Sequence, residues 1–238
     1  MTGFDEIPPT VNAGLRRRSQ LRQLGLCEDP AESSSSQGPR AHASVDLLWL
    51  PLGAGDAFPI VHLNGRIFEA FAARRQRRDP CDLYHSALAV RIGDDRFVIE
   101  MAPVWESKKP DRGVAGEGAV GLSWLGRFRF FRYEVRCWRD GVIPDSASAV
   151  ESPRHLTTDP LRARLLIDLV SAFPTATWGR DEMGTGEMWN SNSLVSWLLA
   201  CSGHDTDIGF PTGGRAPGWH AGLVVAARRS DEPAYATG

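Results

Sequence analysis

Two adjoining segments, residues 84–92 and 95–101, are mostly apolar and are separated by Gly93 and Asp94. Short apolar runs bounded by turn residues are typical of strands. Glycine at the first of two loop positions favours a tight mirror-image turn between such strands. The pattern therefore predicts a β-hairpin whose register follows from the turn.

Three other segments have the composition of β-strands. Residues 45–50 are mostly apolar, and residues 223–227 form a short apolar run near the C-terminus. Residues 127–138 alternate, with Tyr133, Val135 and Cys137 on one face and Arg132, Glu134 and Arg136 on the other. We expect an amphipathic strand with one face in water; the alternative is that its arginines and aromatic residues bind a nucleic acid strand.

Helical spacing of apolar residues marks three further segments. The first includes Ile67, Phe68 and Phe71, and it ends in four arginines that either offset the helix dipole or form a phosphate site. A core helix is expected over residues 160–170, because an aspartate cap and a proline at the first position open it. The last covers residues 191–201 and ends near a glycine.

Few large apolar residues and a run of serines distinguish residues 1–44, which cannot repay the entropy of ordering by burial. Within them, residues 15–25 could form a short basic helix, either solvated or used for docking. Residues 113–126 are glycine-rich without phosphate-loop spacing and are predicted to form a long loop. We expect a disordered tail over 1–44, one folded domain over 45–228 and a flexible tail over 229–238.

Composition argues against several classes of partner. The formal net charge of −2, with basic and acidic residues interspersed, predicts no nucleic acid or membrane partner. No apolar run reaches the roughly 18 to 20 residues of a membrane helix, and no signal peptide is recognisable at the N-terminus. The four cysteines are far apart, and neither they nor the histidines have metal-site spacing. We expect a cytoplasmic protein with free thiols, no metal and no cofactor.

The hairpin register brings two ionisable side chains together. Glu100 faces Ala87, and His85 is its diagonal neighbour on the same face, about 7 to 8 Å away between backbones. A carboxylate that orients an imidazole is the base half of a catalytic triad. Ser191 opens the last helix, where backbone amides and the helix dipole can stabilise an oxyanion. Structural roles are the alternatives, since His85 can be an ordinary strand residue and Ser191 a helix-capping residue.

These features together resemble circularly permuted papain-like proteins of the NlpC/P60 superfamily. The hairpin segments 84–90 and 97–102 look like the histidine hairpin of that family, in which histidine precedes cysteine in the sequence. The last helix opens with Asn190-Ser191-Asn192-Ser193, where the family has an Asn-Cys-Asn-like motif.

The likeness covers residues 45–228; within it, segments 189–199 and 213–222 look like a group of bacterial proteins in that superfamily. It implies an α+β fold in which an antiparallel sheet packs against helices.

Carried over to this sequence, the resemblance implies His85 as the base, Glu100 as the orienting group and Ser191 at the nucleophile position. Serine replaces the cysteine of the family, and a serine hydroxyl needs more accurate base geometry than a thiol because its pKa is higher. The residues expected to line the cleft and bind substrate are Trp189, Asn192, Arg215 and Trp219.

Two functions follow from this site. The first is an amide or ester hydrolase, or an acyltransferase, that uses Ser191, His85 and Glu100. The second is a catalytically inactive binding module that kept the cleft and recognises a peptide or an acylated ligand. In both, the expected partner is a small molecule or a peptide.

Overall fold

The computed structural model of the protein describes residues 42–52, 81–104, 112–143 and 145–231. The predicted N-terminal tail, its short basic helix and the helix around Phe68 lie outside these residues. The described elements are seven strands and three α-helices: β1 Ala43–Pro51, β2 Asp82–Ile92, β3 Asp95–Pro103, β4 Val114–Ala119, β5 Arg132–Arg139, β6 Val150–Thr157, α1 Pro160–Leu169, α2 Ser191–Cys201, β7 Gly214–Arg215 and α3 Trp219–Asp231.

Six of the strands form an antiparallel sheet in the order β4-β5-β3-β2-β1-β6. The short β7 adds to it through parallel pairing with the start of β2. Because the helices follow or interrupt this antiparallel sheet, the protein is α+β, as the sequence predicts.

The central hairpin has the predicted register. Leu88 pairs with Ile99 and Ile92 with Asp95, so that Gly93 and Asp94 form the turn. Gly93 has a φ of +60°, a conformation that glycine adopts at little cost. The prediction of a two-residue turn with glycine first is therefore confirmed.

The two sides of the sheet differ in what they pack against. One side, here called the helix face, contributes Leu88, Val90 and Ile99 to the large core that also contains Leu194 and Leu198 of α2. The other side, here called the far face, carries a smaller apolar cluster, which consists of Leu48, Leu50, Ala87, Val98 and Ile143. Alternate residues of each strand thus belong to different clusters.

Two predicted helices are present, although one is less buried than expected. α1 begins after Asp159, whose side chain accepts a hydrogen bond from the Leu161 amide, and only Ala163 and Leu166 are fully buried. Leu161 and Leu165, which were expected in the core, are exposed. α2 has the predicted bounds, and its apolar residues pack into the large core.

The C-terminal segment contradicts the predicted strand over residues 223–227. It forms the helix α3, which also includes residues 229–231 of the predicted tail. Trp219, Gly222, Val225 and Ala226 are buried at spacings of three and four, and the helix packs along α2. The short apolar run suggested a strand, but its residues belong to a longer helical repeat that packs against α2.

The glycine-rich segment is likewise not a continuous loop. Its first half is the strand β4 at the edge of the sheet, and its second half includes the 3₁₀ turn Ser123–Arg127. A second 3₁₀ turn, Arg129–Phe131, precedes β5, which therefore starts later than predicted. Gly118 lies against the ring of Tyr133 so closely that a Cβ atom would overlap it. β4 is held by backbone hydrogen bonds to β5, and its glycine-rich sequence has no alternation of apolar and polar residues from which a strand could be predicted.

Apart from the two-residue β7, one further strand, β6, was not predicted. Its sequence is mostly polar and contains Pro153, and it pairs with β1 through an irregular register. Proline is tolerated on an edge strand because one side of that strand needs no partner. Edge strands of this composition show little alternation of apolar and polar residues, so the sequence does not reveal them.

Candidate functional site

The start of α2 is held by a reciprocal capping arrangement. The Asn190 side-chain oxygen accepts hydrogen bonds from the amides of Asn192 and Ser193 at 2.9 and 3.3 Å. The Ser193 hydroxyl accepts a hydrogen bond from the Asn190 amide and donates one to the Gly218 carbonyl. Both side chains therefore cap the N-terminus of the helix and attach it to the loop before α3.

Asn192 connects three parts of the fold. Its side-chain nitrogen donates to the carbonyls of Tyr84 in β2 and of Pro217 in the loop before α3, at 2.9 and 2.8 Å. Its side-chain oxygen accepts a 2.8 Å hydrogen bond from the Ser86 hydroxyl. Asn192 is buried, and both the nitrogen and the oxygen of its side-chain amide form hydrogen bonds within the protein. Asn192 therefore has a structural role, whereas the sequence suggested substrate binding.

Ser191 is the first residue of α2 and is almost fully buried. Within the described part of the chain, no hydrogen bond engages its hydroxyl. It is Asn190 and Ser193, rather than Ser191, that act as capping residues. The hydroxyl thus lies at a helix N-terminus, and no described side chain accepts its proton as the base of a nucleophilic serine would.

His85 lies on the far face, away from α2. It pairs with Leu50 of β1 in an unbroken register, and Leu50 and Ala87 both belong to the far-face cluster. Ser86, the next residue, points to the helix face and reaches Asn192. Because side chains alternate along a strand, the imidazole of His85 is separated from Ser191 by the sheet itself.

The surroundings of His85 favour the neutral imidazole. His85 is partly buried, and the resulting loss of solvation lowers its pKa to about 4, because the charged ring is the form that solvent stabilises more. Among the described residues, no carboxylate forms a hydrogen bond or ion pair with the ring. The expected pairing with Glu100 is therefore not formed.

Glu100 shares the far face with His85, as predicted, but its partner is an arginine. Its carboxylate accepts a 3.0 Å hydrogen bond from Arg136, and burial raises its pKa, an effect that the guanidinium opposes. Arg136 also contacts Glu134 at 2.9 Å, and Arg112 binds both oxygens of Glu134. These hydrogen bonds keep the pKa of Glu134 below its ordinary value, despite the opposing effect of burial.

This ionic network corrects the prediction that one face of β5 is in water. Glu134 and Arg136 do alternate with Tyr133 and Val135, as the sequence indicates, yet both charged residues are buried. Buried charges require partners, and each of these finds one on a neighbouring strand or segment. Sequence reasoning identified the residues but not their pairing, because the partners Arg112 and Glu100 come from separate segments.

Two of the remaining residues that were expected to bind substrate, Trp189 and Trp219, are buried in the core. Trp189 is 1% exposed and stacks on Phe173, and Trp219 is 5% exposed and contacts Trp49. Both indoles are parts of the large core. Arg215 lies in β7 beside Leu83 and is partly buried.

A different serine and histidine pair exists at the other end of α2. The Ser202 hydroxyl donates to the Leu198 carbonyl at 2.6 Å and lies 2.8 Å from Nδ1 of His204. With its proton directed to a carbonyl, Ser202 is an acceptor for the imidazole rather than a nucleophile. Burial lowers the pKa of His204 and keeps it neutral. The pair closes the C-terminal end of the helix.

Comparisons with protein-family models, with curated proteins and with solved structures found no match. The likeness to the NlpC/P60 superfamily therefore rests on the sequence motifs. Among the described residues, no three His, Cys, Asp or Glu side chains group as metal ligands would, and no helix is long and apolar enough to cross a membrane.

Proposed function

We propose that this protein is a binding module of permuted papain-like type, without hydrolase activity, that recognises a peptide. The observation that carries the proposal is the separation of Ser191 from His85 by the sheet. A serine nucleophile needs a base within hydrogen-bond reach, and His85 cannot provide it from the far face.

Two further features support this function. Glu100 is engaged by Arg136, so it does not orient the imidazole. Asn190, Asn192 and Ser193 are committed to the scaffold, which leaves Ser191 as the one polar side chain of this motif without a hydrogen bond to a described residue. The start of α2 is thus organised for stability rather than for proton transfer.

Labelling with fluorophosphonates tests the proposal directly. Folded wild-type protein and Ser191→Ala are treated with a bulky and a small fluorophosphonate, and the products are analysed by intact mass and peptide mapping. We expect no labelling at Ser191 with either probe. Adduct formation at Ser191 that is lost in His85→Ala would establish a working serine and histidine pair and would overturn the proposal.

The variant Ser191→Cys extends the test to the nucleophile of the similar family. The helix N-terminus lowers the pKa of a thiol at this position, but an imidazole on the far face does not contribute. We expect the pH profile of iodoacetamide alkylation at this position to be the same in Ser191→Cys and in Ser191→Cys/His85→Ala. A profile that depends on His85 would mean that the two side chains meet.

A further inference from the structure

Half of the exposed large hydrophobic residues in the described part of the chain lie within ten consecutive positions. Trp124, Phe128 and Phe130 are 57%, 50% and 66% exposed, and Leu122 and Phe131 are each 39% exposed. They belong to the connection between β4 and β5, at the edge of the sheet. Clusters of exposed apolar residues of this kind mark interaction surfaces more often than isolated ones do.

Two exposed arginines are interleaved with these aromatic residues. The Arg127 guanidinium lies 5.3 Å from the Trp124 ring centre and 5.1 Å from that of Phe128. Arg129 is exposed one residue further on. No carboxylate occurs between Glu117 and Glu134 in the sequence; the first is paired with Arg132 and the second is buried in the ionic network. The charged side chains within residues 122–131 are therefore Arg127 and Arg129.

The backbone of this surface is held in place. The Val120 amide donates to the Phe131 carbonyl, the Gly121 amide donates to the Trp178 carbonyl, and Arg180 donates to the Gly121 carbonyl, at 2.9, 2.9 and 2.5 Å. A docking surface with a fixed backbone loses little conformational entropy when a ligand binds.

We propose that the surface formed by residues 122–131, the aromatic–arginine surface, docks an acidic peptide segment of a partner protein. In this complex, an apolar side chain of the peptide covers Trp124 and Phe128. Carboxylates on either side of it pair with Arg127 and Arg129. Trp and Arg are the residue types that contribute most to binding energy at protein interfaces.

Charge favours a short peptide over an anionic membrane or a nucleic acid. The protein as a whole carries a formal charge of −2, so it has no net positive charge to attract an extended anionic surface. A short peptide is affected mainly by charges within about 8 Å at physiological salt, and the surface itself supplies Arg127 and Arg129.

The inference rests on the proposed function in taking a peptide as the ligand, but its test is independent of labelling at Ser191. A phage-displayed library of random dodecapeptides is selected on the full-length protein. An enriched peptide is then made with a fluorescent label, together with its Glu→Gln and Asp→Asn counterpart, and both are titrated by fluorescence anisotropy at low and at physiological salt.

We expect the enriched peptides to combine carboxylates with an aromatic or aliphatic residue. Binding should weaken about tenfold in Trp124→Ala and in Arg129→Gln, and similarly in the uncharged peptide. The matched controls are Leu161→Ala and Arg164→Gln, since both residues are exposed on α1. Arg129→Gln removes no ring contact of Arg127, so it reports on binding without changing that packing.

Several outcomes would overturn the inference. These are a selection that enriches no acidic peptide, equal binding of the uncharged peptide, and equal losses in the α1 controls. Preferred binding of phosphatidylcholine and phosphatidylglycerol vesicles, or of oligothymidylate, with the same dependence on Trp124 and Arg129, would assign the surface to a lipid or nucleic acid partner. If Ser191 proves reactive while the peptide binds as expected, the proposed function fails and the docking surface remains.

Discussion

The hydroxyl of Ser86 donates a 2.8 Å hydrogen bond to the side-chain oxygen of Asn192. The residue of β2 that faces the start of α2 is therefore Ser86, and its neighbour His85 points to the opposite side of the sheet. Neighbouring residues of a strand point to opposite faces of the sheet. Ser86 therefore forms a structural hydrogen bond with α2, whereas His85 does not face that helix. The following predictions test the structural roles that result.

Asn192→Ala should destabilise the protein by about 2 to 3 kcal/mol, because it leaves buried partners in β2 and in the loop before α3 unsatisfied. Ser86→Ala removes one neutral hydrogen bond and should cost about 1 kcal/mol. Urea unfolding of both single variants and of the double variant measures the coupling between them. Strictly additive losses would show that the hydrogen bond between the two side chains contributes nothing to stability.

Glu134→Gln should lower the free energy of unfolding by about 3 kcal/mol or more, since Arg136 and Arg112 lose the carboxylate that they share in a buried site. Glu117→Gln is the matched control on the neighbouring strand. Its ion pair with Arg132 is partly exposed and should be worth no more than about 1 kcal/mol. Equal losses in the two variants, measured by urea unfolding, would mean that burial of the network has no energetic consequence.

The stability of the protein should fall as the pH decreases from about 6.5 towards about 4, in part because of His85. In this range the unfolded chain binds a proton at this histidine, whereas the folded protein does not, so protonation favours unfolding. Above this range the imidazole is neutral in both states and contributes no pH dependence.

Comparison of wild type with His85→Gln isolates this contribution. Between pH 7 and pH 5 the wild type should lose about 1 to 2 kcal/mol more than the variant. The carboxylates, and His204, whose pKa burial also lowers, titrate alike in both proteins and cancel. Unfolding midpoints with the same pH dependence in the two proteins would place the His85 ring in contact with water.

Much of the local structure could be predicted from the sequence. Gly93 and Asp94 between two apolar segments predicted the hairpin register, and Asn190 before an apolar helical repeat marked the start of α2. The prediction for the segment that forms α3 was wrong, because a short apolar run was interpreted as a strand and the helical spacing of Trp219, Gly222 and Val225 was not used. Short-range signals are reliable where turn chemistry and periodicity agree, and here they conflicted.

The candidate site was predicted in part. The sequence correctly placed His85 and Glu100 on the same face of the hairpin, but not the buried arginine that engages Glu100. That partner, Arg136, comes from a strand that is more than thirty residues later in the chain. Pairings of this kind depend on strand order, and strand order has no short-range signature.

The sequence by itself determined which residues alternate together and where the hairpin and α2 begin. Only the tertiary structure decided which side of the sheet α2 covers, and hence that it meets Ser86 rather than His85. The physical reason is that a strand has a repeat of two residues, so both of its faces obey the same pattern. The choice between them is made by the large apolar residues that bury most surface against the helices, among which are Leu88, Val90 and Ile99.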